Sequence, residues 1–143
     1  MLSTEQWKQV EAELSYLPGR VSLRADGYHV DARVIQMGRR VCILVWVDGR
    51  GDGEWMQGAA EQPRKFWFER KRFLHSKAER DDAAKQARKR GTSQLWKAYL
   101  QKIVTRTYSM WTPEWGSPRS FTRHLRRSCQ HVELVSLGYC TER

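Results

Sequence analysis

The sequence has few of the residues on which several common protein classes depend. Its three cysteines, Cys42, Cys129 and Cys140, are odd in number and irregularly spaced, which argues against a disulfide framework and for a reducing compartment. No apolar run approaches the roughly 18 residues that a membrane span needs, and the first residues lack a basic and then apolar leader. These absences predict a cytoplasmic protein that is neither exported nor embedded in a membrane.

Motifs of catalysis are equally scarce. The chain has no glycine-rich phosphate loop, no nucleophile elbow and no histidine-rich metal helix. Four potential zinc ligands occur in a short span whose spacing matches no usual zinc finger: His124, Cys129, His131 and Cys140. Asp48, Glu69 and Lys71 are faintly similar to the acidic and lysine set of metal-dependent nucleases, a combination expected by chance in so basic a segment. We predict no catalytic residue, no metal and no cofactor, with a metal-dependent nuclease as a remote alternative.

The second half of the chain has too few acidic residues to balance its basic ones. Residues 1–60 contain 7 Lys and Arg against 8 Asp and Glu, whereas residues 61–143 contain 19 against 8. The second half therefore accounts for the whole formal net charge of +10. A positive field of this size attracts polyanions and accelerates their encounter with the protein, so the partner is expected to be anionic.

The first 60 residues predict a helix followed by an antiparallel meander. Ser3 and Gln6 form a capping box ahead of Trp7, so a helix begins there. After Pro18, apolar residues alternate with polar ones, and Asp26-Gly27 predicts a hairpin turn. The run 41–47 is apolar on both faces, which predicts a central strand covered on both sides. Residues 54–56 are expected to form a short returning strand.

The second half is expected to be mainly helical. Ser76 and Glu79 predict the start of a mostly solvent-facing helix over Lys77 to Arg90, which Gly91 ends. For the residues from Phe66 to Leu74, a short helix and a strand are both open. A further helix is expected to dock on the sheet through residues at helical spacing: Leu95, Trp96, Tyr99, Leu100 and Ile103. Ser117-Pro118 predicts the start of the last helix, and residues 132–135 a closing strand.

The fold prediction is therefore α+β. We expect a single domain over residues 1–143, with an N-terminal helix and a meander of three to five antiparallel strands in residues 1–60, followed by a basic, mainly helical half in residues 61–143.

The segment from Arg64 to Arg90 is the leading candidate for contact with nucleic acid. It contains 11 basic residues against four acidic ones, and it includes the aromatic pair Phe66 and Trp67. Lysine and arginine neutralise backbone phosphates, while aromatic rings stack on unpaired bases. A basic face that only keeps the protein in solution is the alternative interpretation. The candidate residues are Arg64, Lys65, Phe66, Trp67, Arg70, Lys71, Arg72, Lys77, Arg80, Lys85, Arg88, Lys89 and Arg90.

A second set of candidates fits binding to a protein. Arginine is the only basic residue type on the last predicted helix, and its planar group binds carboxylate or phosphate through two hydrogen bonds. Two loop tryptophans have the character of interface anchors, although covering the edge of a small core is at least as good an explanation. The candidate residues are Trp111, Trp115, Arg119, Arg123, Arg126 and Arg127.

Several short motifs resemble small uncharacterised proteins encoded by tailed phages and prophages. They are spread over most of the chain after residue 25: Asp26-Gly27-Tyr28, Val47-Asp48-Gly49, Gly53-Glu54-Trp55, Arg64-Lys65-Phe66-Trp67, Pro113-Glu114-Trp115, Ser120-Phe121, Arg123-His124-Leu125 and Val132-Glu133-Leu134-Val135. The resemblance implies a phage origin and a bacterial host cytoplasm, and it transfers no activity.

Two hypotheses for function follow. The first is a non-enzymatic accessory protein that binds DNA or RNA. The alternative is an inhibitor of a host defence complex, similar to anti-CRISPR proteins, that docks on an acidic host protein surface.

Overall fold

The computed structural model describes residues 1–51, 53–58 and 60–139, and the chain forms two compact units within it. Unit 1 comprises Met1–Glu69 and Trp111–Arg143, and unit 2 comprises Arg70–Met110. The α+β prediction is confirmed. The part of the chain from Trp111 onward belongs to the same unit as the N-terminal helix.

The described residues contain five α-helices and seven strands. The helices are α1 (Thr4–Glu13), α2 (Glu61–Phe66), α3 (Lys77–Ala87), α4 (Gln94–Thr105) and α5 (Pro118–Ser128). The strands are β1 (Arg20–Ala25), β2 (Tyr28–Met37), β3 (Arg40–Val47), β4 (Phe68–Phe73), β5 (Thr107–Thr112), β6 (Glu114–Trp115) and β7 (Val132–Leu137).

The main sheet has five strands in the order β6-β3-β2-β1-β7, and every neighbouring pair is antiparallel. Asp26 and Gly27 connect β1 to β2 with φ angles of 48° and 87°. Positive φ at both central residues is what a two-residue hairpin of this kind requires, so the sequence prediction of this turn is confirmed. Strands β4 and β5 form a second sheet of two strands.

The core of unit 1 lies between the sheet and its helices. Ser3 forms the expected capping box with Gln6, and α1 buries Trp7 and Val10. Helix α5 begins after its Ser117 cap, as predicted, and buries Phe121 among the strand residues of the same cluster. Burial of such side chains contributes roughly 1.5–3 kcal/mol each, so these two helices anchor the sheet.

The other face of the sheet contains a buried ion cluster that the sequence analysis missed. Asp31 of β2 is buried. Its carboxylate accepts hydrogen bonds from Arg20 at 3.0 Å and Arg33 at 2.9 Å. Arg33 also lies over the ring of Trp46 at 5.3 Å. On this face of the sheet the side chain of Trp46 in β3 is only partly buried, and Arg33 provides part of its cover.

Three local predictions are wrong. Gly53–Gln57 is a 3-10 helix and not a returning strand. The segment from Trp111 to Trp115 is not a loop, because it contributes to β5 and β6. The predicted docking face of α4 is largely exposed. In each case a tertiary contact or its absence overrides the local pattern.

Within the described part of the chain, no helix combines the length and the apolar character required to cross a membrane.

Candidate nucleic-acid interface

Unit 2 contains almost all of the excess positive charge of the protein. Residues 70–110 include 12 Lys and Arg against three Asp and Glu, a net charge of +9 out of the total of +10. The remaining 102 residues are close to neutral. Such an asymmetry produces a local field that attracts a polyanion to one part of the molecule.

A helical hairpin, formed by α3 and α4, presents these charges. The side chains of Ser76 and Ser93 accept hydrogen bonds from the third residues of α3 and α4, which fixes both helix starts. Gly91 turns the chain between the helices with a φ of 83°. The two helices pack on each other and bury Ala83 and Leu100. Little apolar surface is enclosed, and most charged side chains of the two helices are exposed.

Two arginines of the predicted basic segment make contacts within unit 2. Arg80 lies over the ring of Phe73 at 3.7 Å, and its Nε donates to the carbonyl of His75 at 3.2 Å. The Nε of Arg88 donates to the carbonyl of Ala84 at 3.3 Å. Arg88 nevertheless stays exposed, and it can face phosphate groups together with six further exposed cations of α3, its flanking residues and β4: Lys71, Arg72, Lys77, Lys85, Lys89 and Arg90.

Helix α4 adds an exposed aromatic surface beside this charge. Leu95 is 85% exposed, Trp96 47% and Tyr99 54%. The rings of Trp96 and Tyr99 stack on each other with a centroid separation of 5.2 Å and an interplanar angle of 19°. A groove of about 510 Å³ is lined by Ser93, Leu95, Trp96, Ala98, Tyr99 and Lys102. Aromatic rings next to cations are the combination that binds single-stranded nucleic acid.

The sequence analysis placed the stacking aromatics elsewhere, and that assignment is wrong. Phe66 and Trp67 are both buried in the core of unit 1. Phe66 packs edge-on against Tyr28 at 5.6 Å, and the Nε1 of Trp67 donates to the carbonyl of Val45 at 3.2 Å. Neither ring can reach a base without unfolding the core.

The first two cations of the predicted segment serve the fold of unit 1. Arg64 donates to the carbonyl of Gly58 at 2.7 Å. Lys65 pairs with Asp26 at 2.6 Å and with Glu61 at 3.6 Å. The hydrogen bond with Asp26 raises the pKa of Lys65 and lowers the pKa of Asp26. The charge of Lys65 is thus compensated within the chain. Arg70 marks the start of unit 2.

The arginines of α5 do not form one uniform surface. Arg126 lies over the ring of Trp7 at 4.9 Å, where it covers the core. Arg123 and Arg127 line a groove of unit 1 that also includes His124. Arg119 is exposed near the start of the helix. Only part of the predicted protein-binding set is therefore available on one face.

The two predicted tryptophan anchors are engaged within the chain. Trp115 is buried, and its Nε1 donates to the carbonyl of Phe66 at 3.0 Å, so its predicted role as an anchor is wrong. Trp111 is half-buried beneath Arg64, whose guanidinium lies 5.8 Å from the ring. Its other neighbour is Gly58, where an added Cβ would lie 2.3 Å from the indole. Trp111 therefore packs tightly inside unit 1.

The remote metal hypotheses find no geometric support among the residues that the structure describes. No group of three His, Cys, Asp or Glu side chains there is placed to hold an ion. Cys140, one of the four potential zinc ligands, lies outside the described residues. Asp48 of the nuclease set accepts a hydrogen bond from the backbone N–H of His29 at 2.9 Å, so its carboxylate stabilises a turn.

The described residues thus present a cationic surface in each unit: the α3–α4 hairpin in unit 2 and the groove beside α5 in unit 1. No protein-family model, no curated protein and no solved structure matches the chain, and the resemblance to phage-encoded proteins stays a prediction.

Proposed function

We propose that the protein is a non-enzymatic nucleic-acid-binding protein that contacts its ligand through unit 2. A single observation carries the proposal: a net charge of +9 in 41 residues coincides with a half-exposed stack of Trp96 and Tyr99 on the same helical hairpin. Neither feature is needed to hold the small core of that hairpin together. Both features complement a polyanion that also displays flat, unpaired bases.

Single strands are the preferred ligand in this proposal. Release of condensed counterions from the phosphate backbone supplies affinity for any nucleic acid, with a slope of about 0.7 per phosphate contact on single strands. Stacking on Trp96 or Tyr99 requires a base that is not enclosed in a duplex. The exposed rings therefore favour single-stranded DNA or RNA over duplexes of the same length.

The test is the salt dependence of binding to a labelled single strand, followed by fluorescence anisotropy. Arg88, Lys89 and Arg90 changed together to Ala should reduce the salt slope by about 2, from three contacts at about 0.7 each. The matched control removes three exposed cations of unit 1 by changing Lys8, Arg24 and Arg39 to Ala, and it should leave the slope unchanged. An equal effect of both triple variants, or no salt dependence in the unaltered protein, rules out unit 2 as the interface.

The inhibitor hypothesis is supported by the exposure of Arg119, Arg123 and Arg127 along α5. If an acidic protein surface is recognised there, one of these arginines should be a hot spot that costs about 2 kcal/mol or more when truncated. A pull-down from nuclease-treated host lysate separates the hypotheses. A protein that is retained by the unaltered chain and lost with the hot-spot variant supports the inhibitor, whereas loss of all bound material after nuclease supports nucleic-acid binding.

A further inference from the structure

A groove on unit 1 has the size and composition of a small-ligand site, separate from the proposed interface on unit 2. Its volume of about 490 Å³ lies within the usual range for such sites. Residues of three elements line it: β4 contributes two residues, β6 contributes one ring, and α5 contributes most of the polar groups. The lining residues are Phe68, Glu69, Trp115, Ser120, Arg123, His124, Arg127 and Ser128.

Two guanidinium groups give the groove its charge. Arg123 and Arg127 are one helical turn apart on α5, so their side chains lie on the same face. Neither of them forms an ion pair with any residue in the described part of the chain. Like charges at this spacing destabilise a helix slightly, and an anion placed between them would remove that repulsion. Guanidinium groups bind the oxygens of phosphate through paired hydrogen bonds.

Three aromatic rings, those of Phe68, Trp115 and His124, also line the groove. Trp115 is held in place by its hydrogen bond to the Phe66 carbonyl, and Phe68 and His124 each lie 5.1 Å from its ring. Phe68 is 38% exposed, so part of its ring faces solvent. Burial lowers the pKa of His124, so its imidazole is uncharged at pH 7. Its Nε2 is buried and has no hydrogen-bond partner in the described part of the chain.

Glu69 makes the groove a poor site for a bare inorganic anion. A carboxylate in the lining repels phosphate, but its oxygens can accept several hydrogen bonds from N–H or O–H groups. The best ligand therefore has an anionic end, a flat apolar part and hydrogen-bond donors on one molecule.

We propose that this groove binds a single nucleotide, with its phosphate on Arg123 and Arg127 and its base against Phe68. Glu69 then accepts hydrogen bonds from the amino group of the base or from the sugar hydroxyls. Two sources supply such a ligand, a free nucleoside monophosphate or the phosphorylated end of a nucleic-acid strand. This site does not depend on the interface on unit 2, because its lining residues all belong to unit 1.

Isothermal titration with adenosine, inorganic phosphate and the four nucleoside 5′-monophosphates tests the proposal. At least one monophosphate should bind at least tenfold more tightly than adenosine or phosphate. Changing Arg123 and Arg127 together to Gln should weaken that binding at least tenfold. The control Arg24→Gln removes an exposed arginine of unit 1 outside the groove and should leave the affinity unchanged. A thermal melt of each variant shows whether the fold survives.

Oligonucleotides with and without a 5′-phosphate distinguish the two sources. They are compared in the protein in which Arg88, Lys89 and Arg90 are changed to Ala, so that contacts of unit 2 are weakened. Tighter binding of the phosphorylated oligonucleotide identifies a strand end as the ligand, and equal binding of both with a tighter monophosphate identifies the free nucleotide. The proposal is overturned if no monophosphate binds at millimolar concentration, or if the Arg123 and Arg127 double variant binds as well as the unaltered protein.

Discussion

Replacing Trp96 by Ala should weaken nucleic-acid binding and leave the fold in place. The indole lies on α4 with nearly half of its surface exposed, and it stacks on the ring of Tyr99. A side chain in this position contributes little to the core of the hairpin, whose buried residues are Ala83 and Leu100. If Trp96 stacks on a base, its removal costs affinity and leaves the fold in place.

The size of the expected effect follows from the stack on Tyr99 and the proposed stack on a base. Loss of the stack with Tyr99 costs the fold about 0.5–1.5 kcal/mol. Loss of one base stack costs about 1–3 kcal/mol of binding, which corresponds to a decrease in affinity on the order of 5- to 150-fold. Because stacking needs an unpaired base, this loss should appear with a single strand and be much smaller with a duplex. The salt slope should not change, since no phosphate contact is removed.

Anisotropy titrations of Trp96→Ala against a single strand and its duplex, at two salt concentrations, provide the measurement. Trp96→Phe is the matched control, because it keeps a flat ring and should recover most of the affinity for the single strand. Stacking of Trp96 on a base is refuted if Trp96→Ala binds the single strand normally, if its affinity for the duplex falls by the same factor, or if Trp96→Phe binds the single strand no more tightly than Trp96→Ala.

Three further predictions concern the stability of unit 1. Trp67→Ala should destabilise the protein by about 3–5 kcal/mol in urea unfolding and should not act on binding alone, because the indole is buried and bonded to a backbone carbonyl. Asp26→Asn should lower the free energy of unfolding by about 2 kcal/mol at pH 7, since Lys65 and two backbone N–H groups donate to the carboxylate. These bonds hold the pKa of Asp26 below its usual range, so the stabilisation by its carboxylate is present above about pH 4 and is lost as the pH falls through the folded-state pKa. The difference in unfolding free energy between the two proteins should therefore shrink below about pH 4. A difference that does not change with pH would contradict this role of Asp26. Gly58→Ala should lower the melting temperature, because the new methyl group would lie 2.3 Å from the indole of Trp111 and the φ of 72° disfavours residues other than glycine. An unchanged melting temperature would show that the indole moves aside at no cost.

Elements that depend on neighbouring residues could be predicted from the sequence. Ser3, Ser76 and Ser117 each accept the capping hydrogen bond that their spacing indicated, and α1, α3 and α5 begin where expected. Alternation of apolar and polar residues located β1 and β2, and Asp26-Gly27 located the turn between them. Each of these features is determined within a few residues of itself, which is the range over which sequence patterns act.

Elements that depend on distant partners could not be predicted in this way. Strand β6 has two residues, and it exists because Glu114 and Trp115 pair with β3 far away in the chain. Asp31 is buried because Arg20 and Arg33 close over it, which no local pattern shows. Phe66 and Trp67 follow two cations in the sequence, yet the chain enters the core at that point. An aromatic ring beside a charge looks the same in sequence whether it faces the core or the solvent.

The large rings of α4, Trp96 and Tyr99, are exposed although their spacing is typical of a buried helix face. Residues at helical spacing predicted a buried face, but the partner helix α3 has alanine as its only apolar residue type and cannot enclose two large rings. Exposed apolar patches of this kind usually belong to an interface. A protein partner would be expected to meet such a patch with apolar side chains, and a field of +9 around it disfavours a second copy of the same surface. A strand that provides both phosphates and open bases satisfies the charge and the rings at once, and this is why the unit with the smallest core is the best candidate for the binding surface.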